Sequence, residues 1–416
     1  MIIKQELLKI IRMPIIWGLI VFFLGLNILI TMNNTDFKED MAVLSNLVDD
    51  YGHEINEETL VKIENDYEKV VASVNGLAED KNKTYDHPSE LLEDYKVQNP
   101  LTEEEMRKLW NHHYFEVYYR TSKDIDGIYE NINLAGIADT VIRMYGMEAG
   151  AAETVRTQFQ KLDERLDELM DNGEHKHLFF NNMLYEMHEL LFEKLGRAFL
   201  FELMILVVLI TAAVTNYEFE NRTASISYTT ISGRNLVLKK LGASAIATSA
   251  VTLVVVGGTF TAYFLTYDYT GLWNVPISAY FNAETPLPYI SWWNLTFLEY
   301  MGFFVLFILI SQYLFMGLSY ILSIYLKNTY LVFFAFLILV GSGILLPGKV
   351  PLTTDLVFYL HYNPFTLILN PHEWLMGNGP FTIYKHYEAV TFGIWAVLLA
   401  LISITSIHYF KRQQLH

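Results

Sequence analysis

The chain has no cysteine among its 416 residues, which excludes disulfides, thiolate catalysis and cysteine metal sites. Charge is scarce as well. Only 18% of residues are charged against 52% hydrophobic, and the mean hydropathy of +0.24 is too high for a large soluble protein. The zinc-protease pattern H-E-x-x-H is missing, because His188-Glu189 is followed by Leu190, Leu191 and Phe192. The remaining histidines near acids, His112, His113 with Glu116, His175 and His177, read as packed or solvated side chains. No nucleophile–base pairing is recognisable. We therefore expect no catalytic residue, no metal ligand and no cofactor held by this chain.

One motif needs weighing. Gly343-Ile344-Leu345-Leu346-Pro347-Gly348-Lys349-Val350 has the spacing of a phosphate loop. It puts Val350 where magnesium needs a hydroxyl, and no strand is expected before it. It is not read as a nucleotide site, since the charge pattern of the chain also places it outside, away from ATP.

Long apolar runs are abundant. Crossing a bilayer takes about 20 apolar helical residues, since every backbone N–H and C=O must be paired within the segment. Six stretches qualify: 15–32, 198–215, 243–267, 298–325, 330–346 and 389–410. The fourth is long enough to tilt or to kink near Gly302 or Gly317. The fold expected is all-α and integral to a membrane, with six transmembrane helices and a mainly helical domain, 33–197, inserted between the first two. The first run, preceded by Lys4, Lys9 and Arg12, is read as an uncleaved anchor: no small-residue cleavage site precedes Asn33-Asn34.

The charge is unevenly placed. Residues 33–197 hold 36 Asp and Glu against 17 Lys and Arg, a balance of −19, while the whole chain carries −17. The acidity belongs to that insert, which argues against binding nucleic acid. Lys and Arg near span ends mark the cytoplasmic side. Lys4, Lys9 and Arg12, then Arg222, Arg234, Lys239 and Lys240, then Lys327, Lys411 and Arg412 share one side, so both termini are expected in the cytoplasm of a plasma membrane and 33–197 outside. The loops 268–297 and 347–388 join it there. Residues 1–14 alternate apolar and basic residues as an interfacial helix does, and 411–416 form a cytoplasmic tail.

Within the insert, Thr102 followed by Glu103, Glu104 and Glu105 is a helix start, and Phe159, Leu162, Leu166 and Leu169 recur at helical spacing. Asn99-Pro100 and Asn172-Gly173 are expected helix breaks. From about His177 the helical pattern runs on through Gly196 into the second span. Trp273, Tyr289, Trp292, Trp293 and Tyr300 read as an aromatic belt at the outer interface. Glu202 and Glu299 are carboxylates in or beside apolar runs, and Ser311 and Gln312 are polar groups inside one; all four are candidates for a substrate path.

The most informative stretch is the loop 216–242. Asn216-Tyr217-Glu218-Phe219-Glu220-Asn221-Arg222-Thr223 leads to Ser232-Gly233-Arg234 and Lys239-Lys240. This pattern resembles the coupling helix of permease subunits of type-2 ABC exporters, with Glu218, Glu220, Arg222, Thr223, Arg234 and Lys240 in the matching places. Asn221-Arg222 stands for the usual Glu-Arg, and Gly233 for a common Pro or Ser. Asn363-Pro364-Phe365 and Asn370-Pro371, flanking Thr366–Leu369, resemble the half-inserted segment that precedes the last span in members with a large extracellular domain. The resemblance implies separate ABC ATPase subunits that carry ATP and magnesium, a second permease identical or related to this one, and outward transport of an amphipathic peptide, lipid or drug. A rival expectation is a receptor or immunity subunit whose acidic domain captures cationic peptides.

Overall fold

The computed structural model describes every residue except 1, 34, 36, 37, 39, 79–82, 99, 100, 229, 230, 285, 286 and 413–416, and the backbone alone of 95–98, 182, 183, 231, 232 and 284. The expected break at Asn99-Pro100 lies outside the described residues. Helices α1 (Ile2–Ile11) and α2 (Pro14–Met32) are followed by α3 (Ala42–Tyr51), α4 (Glu57–Leu77), α5 (Pro88–Gln98), α6 (Glu103–Glu130), α7 (Leu134–Tyr145), α8 (Ala149–Asp171) and the single turn α9 (Asn182–Tyr185). Then come α10 (Gly196–Glu220), α11 (Ala224–Ser227), α12 (Ile231–Arg234), α13 (Leu236–Thr266), α14 (Phe297–Leu326) and α15 (Thr329–Leu345). The short α16 (Leu356–His361) and α17 (Pro364–Leu367) precede α18 (Tyr387–Arg412). Among the described residues the only sheet is a two-stranded hairpin, Ala283–Glu284 with Leu287–Pro288. The chain is all-α.

Among the described residues, five helical segments are long and apolar enough to cross a membrane: Pro14–Met32, Glu189–Glu220, Leu236–Thr266, Phe297–Leu326 and Tyr387–Arg412. The sixth expected span, α15, has 17 residues and falls short of that length. Apolar side chains face outward along these helices, among them Phe22, Leu253, Leu265, Phe334 and Val397. A soluble protein does not leave so much contiguous apolar surface in water. The helix containing α10 is the axis of the bundle: 72% of its most apolar stretch is buried, against 22% for α18.

Several expectations about the boundaries change. The helix entering α10 begins near Glu189 rather than His177, as a π-helical turn, Glu189–Leu195, that runs straight into α10. Residues 177–178 pair their backbone elsewhere: Leu178 N–H donates to His53 O at 2.6 Å, and His177 bridges Glu54. Glu186 then takes a positive φ of 50° that separates α9 from the long helix. Helix α14 runs unbroken through Gly302 and Gly317. Tyr289, Trp292 and Tyr300 are buried inside the protein, leaving Trp293, at 37% exposure, as the most accessible of that set.

The insert folds as expected from its caps. Thr102 and Glu105 form a reciprocal capping box at α6, and Phe159, Leu162, Leu166 and Leu169 are buried on α8. It is tied to the loops on the same end of the bundle. Glu148 N–H donates to Leu352 O at 2.9 Å, Thr154 Oγ1 to Asp355 at 2.7 Å, and Arg165 Nε to Ser291 O at 3.0 Å.

The phosphate-loop spacing has a packing explanation. A Cβ on Gly343 would lie 2.4 Å from the ring of Phe365, so glycine lets α17 press against α15. Phe365 stacks on Phe315 at 5.8 Å and meets Phe336 at 6.1 Å, both well inside α14 and α15. Asn363 starts α17 by accepting from Phe365 and Thr366 N–H, each at 3.0 Å.

Candidate functional site

The loop between α10 and α13 ends α10 in a defined way. Arg222 adopts a left-handed conformation, φ 56°. Its N–H reaches Phe219 O at 3.2 Å, and Thr223 N–H reaches Glu218 O at 2.8 Å. This double closure is the Schellman ending, in which glycine is the usual left-handed residue. Arg222 and Thr223 are exposed. Beyond them, α11 carries Ile226 at 78% exposure, a surface residue that the charge pattern gave no reason to select.

The acids before the turn behave differently. Glu218 is 4% exposed and sits between two cations: Lys9 of α1 at 2.9 Å and Lys240 of α13, with Tyr228 Oη donating at 3.3 Å. Lys240 is fully buried and also donates to Val214 O and Thr215 O, the latter at 3.1 Å. Lys9 is shared with Glu6 at 2.8 Å and lies 4.3 Å over the ring of Tyr217. Two acids and two bases are thus mutually neutralised where α1, α10 and α13 meet. Glu220 accepts from Thr329 N–H at 2.7 Å, capping the first turn of α15.

The far end of the loop is tied down as well. Tyr228 packs between Phe219 and Phe410 and shares a cluster with Tyr320 and Ile324 of α14. The exposed Arg234 donates to Lys411 O of α18 at 2.8 Å. The structure therefore separates the six loop residues into three sets. Glu218 and Lys240 are internal, Glu220 and Arg234 bind neighbouring helix ends, and Arg222 and Thr223 are presented outward. Through these contacts a short surface segment is fastened to α1, α10, α13, α14, α15 and α18 at once.

The four candidates in the bundle also divide. Glu299 is exposed and closes a capping box with Thr296, accepting its N–H at 2.9 Å, which is a structural task. Ser311 bonds back to Phe307 O at 2.8 Å. Gln312 is buried, donates to Leu200 O at 3.4 Å and leaves its Oε1 unpaired. Glu202 is buried and accepts from Asn27 Nδ2 of α2 at 2.9 Å, and the same amide donates to Thr259 Oγ1 of α13 at 3.1 Å. Asn27 and Thr259 are not among the residues the sequence singles out, although Asn27 is the one amide within its apolar run.

Histidines in the insert pair locally. His175 lies 2.9 Å from Asp126, and His53 and His177 meet at 3.0 Å, where burial and the neighbouring ring push His177 down to about 4. Among the described residues no group of three or more His, Asp or Glu converges as metal ligands do.

What fold and site define is an all-α protein with several apolar helices of the kind multi-pass membrane proteins use, and a polar loop wired to one end of the bundle. Comparison with protein-family models, with curated proteins and with solved structures found no match to this chain.

Proposed function

We propose that the chain is the permease subunit of an ATP-driven exporter, working with separate ATPase subunits that dock on the segment from Arg222 to Arg234. In this reading α15 completes a six-span bundle, both termini and the loop face the cytoplasm, and the 33–197 insert lies outside the cell. Two permeases pair in the membrane, and an amphipathic substrate moves outward. The observation that carries the reading is the wiring of the loop. A push on α11 is transmitted through Glu218, Glu220, Tyr228 and Arg234 to six helices. A loop that only set topology has no need of such fastening. The exposed Ile226 beside Arg222 offers an apolar anchor within a charged rim, the composition of a docking patch.

The mechanism follows from rigidity. Closure of the ATPases displaces the segment, and because its roots are buried ion pairs and caps, the displacement turns the span bundle rather than bending the loop. The test is co-expression and purification of the full chain with ABC ATPase subunits from the same genome. Arg222→Glu with Ile226→Asp is expected to abolish co-purification and nucleotide-stimulated transport while leaving the thermal transition unchanged. Robust ATP hydrolysis by the chain alone, or unchanged assembly in that double variant, overturns the proposal.

A further inference from the structure

Glu202 has what the charges around Glu218 lack, an unanswered oxygen. It is 5% exposed, Oε2 is taken by Asn27, and Oε1 has no partner; neither has Asn27 Oδ1. The elements packed on α10 bring it no ion. Helix α2 contributes Asn27 and α13 contributes Thr259. Lys240 of α13 and Lys9 and Glu6 of α1 are spent at the opposite end, and Glu193, Lys194 and Glu299 are paired with Arg197, Glu186 and Thr296.

A second observation points the same way. Serines and threonines in the apolar helices normally satisfy themselves on the carbonyl four residues back, as Thr31 does on Asn27 O at 2.9 Å, Ser323 on Ser319 O at 2.7 Å and Thr391 on Tyr387 O at 2.8 Å. On α13 three buried hydroxyls do not: Ser244, Thr248 and Thr252 have no partner. They follow Lys240 at four-residue steps along the buried face of α13, the same face that carries Thr259, which the Asn27 amide joins to Glu202. A buried hydroxyl without a partner costs about 1–3 kcal/mol, and water is the usual remedy where several polar groups line one site.

We propose that the buried polar stripe of α13 is a hydrated seam that starts beside Lys240 and ends at Thr259, Asn27 and Glu202, and that Glu202 takes up and releases a proton there. The proton arrives from seam water and adds to Oε1, converting the carboxylate to the neutral acid, and leaves by the reverse step. A neutral acid suits an apolar bundle better than an unpaired anion. A metal cation fits poorly, because hard cations take six or more oxygens and this site offers three or four. The inference does not rest on the exporter reading.

Infrared difference spectra of the full chain in lipid nanodiscs, titrated from about pH 5 to about pH 9, test it. The wild type is expected to show the carbonyl stretch of a buried protonated carboxyl that titrates within this range. The band disappears in Glu202→Gln, which keeps the Asn27 hydrogen bond, and persists in Glu388→Gln, a control at a buried carboxyl in the first turn of α18 that accepts from Leu375 N–H at 2.9 Å. Thr248→Val with Thr252→Val should slow deuterium exchange of that band about tenfold, since valine matches the shape but carries no hydroxyl. No titrating carboxyl band in the wild type, or a band unchanged in Glu202→Gln, overturns the proton site. Exchange unaffected by the two valines overturns the seam.

Discussion

Glu218 and Glu202 lie on the same helix, 16 residues or about 24 Å apart, and both are buried. One is surrounded by Lys9, Lys240 and Tyr228; the other has an amide and a free oxygen. The difference teaches what a buried carboxylate is for. With its charge fully answered, Glu218 holds three helices and the root of the loop in one geometry, and it has no reason to change its protonation. With its charge unanswered, Glu202 holds little together and is suited to change state.

The comparison breaks most severely at Lys240. Lys240→Met removes the fully buried partner and leaves Glu218 facing Lys9 alone. The expected loss is about 3–5 kcal/mol, read as a fall in the detergent melting temperature and in yield. Glu218→Leu with Lys240→Met removes both buried charges and should recover most of that loss. If the single and the double variant melt alike, the pair is not what fastens α10 to α13. Glu202→Gln, by contrast, should leave the melting temperature nearly unmoved.

A third buried carboxylate, in the insert, sharpens the contrast through pH. Glu116 is 2% exposed; burial opposes its charge, but hydrogen bonds from His113, from the Ser89 hydroxyl and N–H, and from Arg120 outweigh it and hold the carboxyl down at about 2. Its folded value lies below the unfolded one of about 4.3. The stabilisation is therefore complete above that pH and is lost as pH falls through about 2. Hydrogen exchange of α5 and α6 in the full chain should quicken on acidification across that window, and Glu116→Gln should flatten the dependence.

Lys9→Ala probes the weaker arm of the clamp. Lys9 keeps 22% of its side chain in solvent, so the pair with Glu218 is partly screened and its loss should cost about 1 kcal/mol. Cleavage within α1 by added protease should become faster, while the α10–α13 contact survives. Equal damage from Lys9→Ala and Lys240→Met would mean that the two cations share one task.

These contrasts also mark what was legible in the sequence. Apolar runs gave three of the five long helices to within two residues, the helix expected at 243–267 starts earlier at Leu236, and 198–215 is the middle of Glu189–Glu220, because backbone pairing in an apolar setting leaves little choice about the apolar part alone. Lys240 is placed in the coupling loop by its match to the exporter resemblance. Its four-residue spacing to Ser244, Thr248 and Thr252 was the available sign that it lies on a buried polar stripe of α13. Asn27, Glu202 and Thr259 come from three separate segments, and their meeting depends on packing that no local pattern encodes. The start of the helix leading into α10 was misplaced for a similar reason. The backbone at 177–178 is claimed by His53 and Glu54, more than a hundred residues earlier in the chain.

The smallest expected effect is the one that separates structure from docking most cleanly. Arg222 holds a left-handed conformation that costs an L-residue with a side chain about 1 kcal/mol and costs glycine little. If Arg222 served only to end α10, Arg222→Gly would be an improvement. We expect it to raise stability by about 0.5–1 kcal/mol and yet to weaken ATPase co-purification, because the exposed guanidinium is lost. Thermal melting and co-purification measured on the same preparation decide between the roles. A stabilised variant with full assembly would reduce Arg222 to a helix stop and move the docking contact to Ile226 and Thr223.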